Sequence, residues 1–131
     1  RFADVDKIYN KILENPLIKG VTFSGGEPFC QAQALCELAE KLQQRGYHLM
    51  AYSGWTFEEL VKKAENEEYV AKLLNMLDIL VDGRFVDELK SASLLFRGSS
   101  NQRVIHVPSS LEKGEIVLWE DWQATERGLK K

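Results

Sequence analysis

The 131-residue sequence sets 17 Lys and Arg against 20 Asp and Glu, a formal charge of -3, with 44% hydrophobic and 28% charged residues. That length suits one domain, 1–131, the composition excludes a disordered or collagen-like chain, and the mild acidity provides no field to gather a polyanion. No apolar run approaches the roughly 18 residues of a membrane span, so neither nucleic acid nor membrane is expected as a partner.

In chain order, Phe2, Val5, Ile8, Tyr9, Ile12 and Leu13 recur at three- and four-residue spacing, with Asp4 as N-cap and Pro16 as terminator, which predicts an amphipathic helix. Residues 20–24 form a short β-branched and aromatic run before Gly25-Gly26 and read as a buried strand ending in a tight loop. Leu35, Leu38, Ala39 and Leu42 then make a second helical stripe that Gly46 closes. Residues 48–53 are the next strand, ended by Gly54, and Thr56-Phe57-Glu58-Glu59 has the form of a capping box that opens a third helix through Phe57, Leu60, Val61 and Ala64. After a break near Asn66, Val70, Leu73, Leu74 and Leu77 mark a further helix, and Ile79-Leu80-Val81 a third strand. Residues 103–107 and 116–119 are expected to be strands, and residues 124–131 a frayed polar tail.

Helical crossovers between successive strands imply a parallel α/β sheet, whose strand C-termini share one edge where ligands bind. Three turns fall on that edge: Ser24-Gly25-Gly26-Glu27-Pro28, Ser53-Gly54 and Asp82-Gly83-Arg84. In the first, the glycines permit close backbone approach and Glu27 offers an acceptor for a cationic or ammonium group. A tight turn with a carboxylate at a helix start is the plain alternative. Cys30 and Cys36 fit neither a disulfide scaffold nor a zinc or redox spacing, so a reducing, cytoplasmic setting is expected. Cys36 reads as a buried hydrophobe, and Cys30 is open to either a structural or an exposed role. His48 and His106 share no ligand spacing and read as structural or surface histidines, and the Trp119 and Trp122 pair as a packing anchor.

The run Gly-Val-Thr-Phe-Ser-Gly-Gly-Glu-Pro-Phe at 20–29 resembles the GGEP motif of radical S-adenosylmethionine enzymes. With Val81-Asp82-Gly83-Arg84-Phe85 and the stretch Arg-Gly-Ser-Ser-Asn-Gln-Arg-Val-Ile at 97–105, the chain is similar to the activating proteins of anaerobic ribonucleoside-triphosphate reductases, relatives of the pyruvate formate-lyase activating enzymes. The resemblance implies a partial (β/α) barrel, truncated at the N-terminus, and reductive cleavage of S-adenosylmethionine at a 4Fe-4S cluster to place a glycyl radical on the reductase. It also implies a flavodoxin-type or other electron donor. Ser24, Gly25, Gly26, Glu27 and Pro28 match the motif that holds the methionine amino group. Ser53 falls where relatives place a small polar contact, with a solvated turn serine as the alternative. Asp82 and Arg84 match an Asp-x-Lys pair whose Lys meets the methionine carboxylate, a task an Arg can perform bidentately, or else they are a turn aspartate and a solvated arginine. Arg103, at the start of its strand, is expected on the opposite edge, with fold stabilisation the alternative for the whole stretch 99–103.

The departure from the family is the Cys-x-x-x-Cys-x-x-Cys cluster motif, expected to precede Arg1, so the chain reads as the C-terminal part of an activase, inactive on its own. A non-catalytic α/β binding module and another radical S-adenosylmethionine enzyme are the alternative readings.

Overall fold

The continuous apolar runs within residues 48–52 and 79–82 suit strands of a sheet buried on both faces. The computed structural model describes residues 5–14, 20–23, 27–84 and 102–130. Its elements are α1 (Val5–Leu13), β1 (Gly20–Phe23), a 3-10 turn (Pro28–Gln31), α2 (Ala32–Gln44), β2 (His48–Tyr52), α3 (Phe57–Ala64), α4 (Glu68–Met76), β3 (Ile79–Asp82), β4 (Arg103–His106), α5 (Val107–Lys113) and α6 (Trp119–Lys130). The sheet order is β1-β2-β3-β4. The first three strands are parallel, in register Gly20 to His48 and Met50 to Ile79, with α2 and the α3-α4 pair as the crossovers between them.

Leu49, Ala51, Leu80 and Ile105 point to one face and pack with Leu38, Ala39 and Leu42 of α2, Leu60 of α3, and Leu73 and Leu74 of α4. Met50, Ile79 and Val81 point to the other, against Tyr52, Val104 and Trp119. The crossover helices and the parallel pairing of β1, β2 and β3 expected from the sequence are therefore present. Gly46, at φ 79, closes α2 as its spacing predicts, and Thr56 and Glu59 form the reciprocal capping box at α3.

Four expectations are corrected. The sheet is not wholly parallel, because β4 pairs antiparallel to β3, with Asp82 opposite Arg103 and Ile79 opposite His106. Residues 116–119 supply a single antiparallel bridge, Leu118 to Ile105, before Trp119 enters α6. The polar C-terminal stretch is helical to Lys130, and Glu120 and Asp121 in its first turn favour the positive end of the helix dipole. Finally, the strand at 103 stops at His106, which caps α5: its Nδ1 accepts from Ser109 N at 3.3 Å, and Pro108 in the first turn needs no donor partner. The expected caps Asp4 and Pro16, and residues 24–26, 85–101 and 131, lie outside the described residues. Among the described residues no helix is long and apolar enough to cross a membrane.

Candidate functional site

Glu27 follows β1 in an extended conformation and caps the 3-10 turn, its Oε2 accepting from Phe29 N at 3.2 Å. Pro28, at the first position of that turn, has no N–H and a fixed φ, so the chain turns immediately and leaves the carboxylate at the strand ends. Ser53 continues the ladder past β2, its N–H donating to Val81 O at 3.0 Å. The Ser53 side chain, 4% exposed, donates from Oγ to Glu27 Oε2 at 2.8 Å and accepts from Trp55 N at 3.1 Å. Gly54 N donates to Glu27 Oε1, also at 2.8 Å. The loops after β1 and β2 thus meet on one carboxylate, through three N–H or O–H donors.

Asp82 ends β3 and is buried, at 1% exposure. Its Oδ2 accepts from Phe57 N at 2.6 Å, and the Arg103 guanidinium holds both carboxylate oxygens, at 3.0 and 2.5 Å. Arg103 also donates to both oxygens of Glu58, at 2.6 and 3.3 Å. Hydrogen bonds to Asp82 and then to Glu58 hold the guanidinium protonated well above its ordinary value, and the Arg103 bond pulls Glu58 below its own. Gly83, at φ 99, turns the chain out of β3; its N–H donates to Trp55 O at 3.4 Å and its carbonyl accepts from Gln102 Nε2 at 2.9 Å. Arg84 follows, exposed.

Of the residues singled out in the sequence, Glu27 and Ser53 come together and Pro28 orients them. Asp82 lies at the same sheet edge with its carboxylate turned to Phe57 and Arg103. Ser24, Gly25 and Gly26 lie outside the described residues. Two contributors were missed. The Gly54 N–H carries no side-chain signal at all. Arg103, expected on the opposite edge, sits on this one, because the reversal of β4 places its first residue beside the last of β3.

The thiols do not fit an iron-sulfur cluster. Cys30 is exposed, whereas Cys36 is buried in α2 and donates from Sγ to Tyr69 O at 3.2 Å. Burial pushes the Cys36 thiol up to about 11, which disfavours the thiolate that iron requires. Two cysteines fall short of three ligands, and among the described residues no group of three His, Cys, Asp or Glu is placed to hold a metal. The Glu27 carboxylate, by contrast, suits an ammonium group. It is held rigidly, and among the described residues its Oε1 accepts only from Gly54, so a lone pair is left.

Residues 3–105 match the model of the family described as 4Fe-4S single cluster domain. The chain is similar to the anaerobic ribonucleoside-triphosphate reductase-activating protein of Escherichia coli K12, 29% identical over 107 residues that make up 78% of this chain and 66% of that one. It is also similar to the proteins of the same name from Salmonella typhi (30% identical; 68% and 56% covered) and Vibrio cholerae (33%; 67% and 55%). The chain thus spans between about half and two thirds of the length of these relatives. No solved structure matches it.

Proposed function

Since the chain belongs to the 4Fe-4S single cluster domain family, we propose that it is the S-adenosylmethionine-binding scaffold of an activating protein for an anaerobic ribonucleoside-triphosphate reductase. The observation that carries this reading is the Glu27 carboxylate, fixed at the C-terminal edge of parallel strands by Ser53, Gly54 and Phe29 with acceptor capacity left for an ammonium group. In this reading the sheet is the described part of a partial (β/α) barrel. Glu27 accepts the amino group of the methionine moiety, with Ser24, Gly25, Gly26 and Pro28 the other residues of its motif, and Arg84 meets the carboxylate. Asp82 acts at one remove, by holding the neighbouring loop. S-adenosylmethionine held there would supply hydrogen-abstracting chemistry toward the reductase, the electron for its cleavage coming from a 4Fe-4S cluster whose thiolates the two cysteines of this chain do not provide. This chain's own work is to bind and orient the ligand and to shield it from water. The thiol shortage favours one second reading, a binding module with no radical chemistry.

Calorimetric titration of S-adenosylmethionine into the chain separates the possibilities. The wild type is expected to bind, and Glu27→Gln, which removes a charge-assisted hydrogen bond, to weaken binding about tenfold or more. A polypeptide joining this chain to a cysteine-triad segment, reconstituted with iron and sulfide and reduced with dithionite, is then expected to release 5′-deoxyadenosine and to give the reductase a glycyl-radical signal. Binding without either product supports the module; no binding by the wild type overturns both forms of the ligand reading.

A further inference from the structure

We infer that Arg103 is a positioning residue for the Glu27 site: its bidentate hold on Asp82, extended to Glu58, fixes the β2-α3 loop so that the Ser53 hydroxyl and the Gly54 N–H stay on the Glu27 carboxylate. The consequence for ligand affinity rests on the reading of that site given above; the consequence for the loop does not.

The loop from Ser53 to Phe57 is anchored on two sides. On one, Ser53 Oγ and Gly54 N donate to Glu27. On the other, Trp55 O accepts from Gly83 N, and Phe57 N donates to Asp82 Oδ2. With the Ser53 N–H also on Val81 O, five residues are held by five long-range hydrogen bonds and keep few free dihedrals, so a shift at Phe57 or Trp55 is passed to Gly54. The second pair of anchors depends on how Asp82 is held. A carboxylate at 1% exposure needs a partner charge and hydrogen bonds to offset its loss of water, and Arg103 supplies both by filling both oxygens. The same guanidinium reaches out to Glu58, on the first turn of α3, so one side chain ties the end of β3 to the helix that the loop feeds. Gln102, its neighbour, closes the arrangement through Gly83 O. Two carboxylates met through four oxygens at fixed angles suit the planar fork of Arg and exceed what one lysine ammonium can meet.

The test uses Arg103→Lys, which leaves Asp82 with a positive partner but removes the fork. In the chain without ligand, amide exchange at Gly54 and Phe57 is expected to accelerate about tenfold relative to the amides of α4, the size of an ordinary coupling between sites. S-adenosylmethionine affinity is expected to fall by about the same factor. In a Ser53→Ala background Arg103→Lys should cost less than in the wild type, because one of the two anchors through which it acts is already cut; a role in general stability would instead give additive losses. Unchanged Gly54 exchange in a folded Arg103→Lys chain overturns the inference, as do additive affinity losses. Should that variant fail to fold, Glu58→Gln decides. It cuts only the exposed side of the clamp, and a rise in Gly54 exchange over that of α4 supports the inference whereas no change overturns it. A wild type that binds no S-adenosylmethionine defeats the functional reading alone, since the exchange comparison still decides the role of Arg103.

Discussion

Arg103 and Arg84 show how differently one side-chain type behaves on the same sheet edge. Arg84 is exposed and near the mouth of the strands, while Arg103, with a third of its side chain exposed, spans from the buried Asp82 to the surface Glu58. The Glu58 end is sensitive to pH. Its carboxyl, held below the ordinary value of 4.5 chiefly by the Arg103 hydrogen bond, contributes stability that is fully present above about pH 4.5 and is lost as pH falls through the lowered folded value. Because Glu58 is 62% exposed, that contribution is small. Urea midpoints of wild type and Glu58→Gln are expected to differ slightly at pH 7 and to converge below pH 4.5; a gap that widens in acid would reverse the assignment.

At the scale of elements, α3 carries the clearest local signature. Thr56 Oγ1 accepts from Glu59 N at 3.1 Å and Glu59 Oε1 accepts from Thr56 N at 2.8 Å, so both groups at the helix start are satisfied reciprocally. Thr56→Ala is expected to cost about 1 kcal/mol, read as a lower urea midpoint with unchanged slope. A loss near zero would mean that Asp82, which already takes Phe57 N, fixes the helix start alone. Elements of this kind were legible because their signals are local: the apolar stripes of α2 and α4, the αL glycine after α2, and the box at α3. What escaped was decided elsewhere. Helix α6 has few apolar residues, so periodicity was silent. Strand β4 could be located from Val104 and Ile105 but not given a direction, and its direction decides which edge Arg103 occupies. In the site, Glu27 and Ser53 were legible from residue type and strand-end position, whereas the Gly54 N–H and the commitment of Asp82 to Arg103 depend on pairings across the sheet.

For the molecule as a whole, stability rests on the face where α2, α3 and α4 cover the sheet. Leu42, Leu60, Leu73, Leu80 and Ile105 are fully buried there. Leu73→Ala is expected to lose about 2–5 kcal/mol, a large share of the total stability of a domain this size. The loss is measurable as a drop in urea midpoint, and one below about 1 kcal/mol would mean that α4 lies outside the cooperative core. The two rims of the sheet differ in a way that bears on growth. At β4, the bridge from Ile105 to Leu118 and the donation of His106 N to Val117 O block the outer rim. At β1, the described residues show pairing on the β2 side alone. Among the described residues, therefore, β1 is the rim of the sheet with backbone groups left for a further strand. A strand added in parallel at that rim would bring its C-terminal end to the same sheet edge as Glu27, so growth of the sheet and enclosure of that carboxylate would be one event.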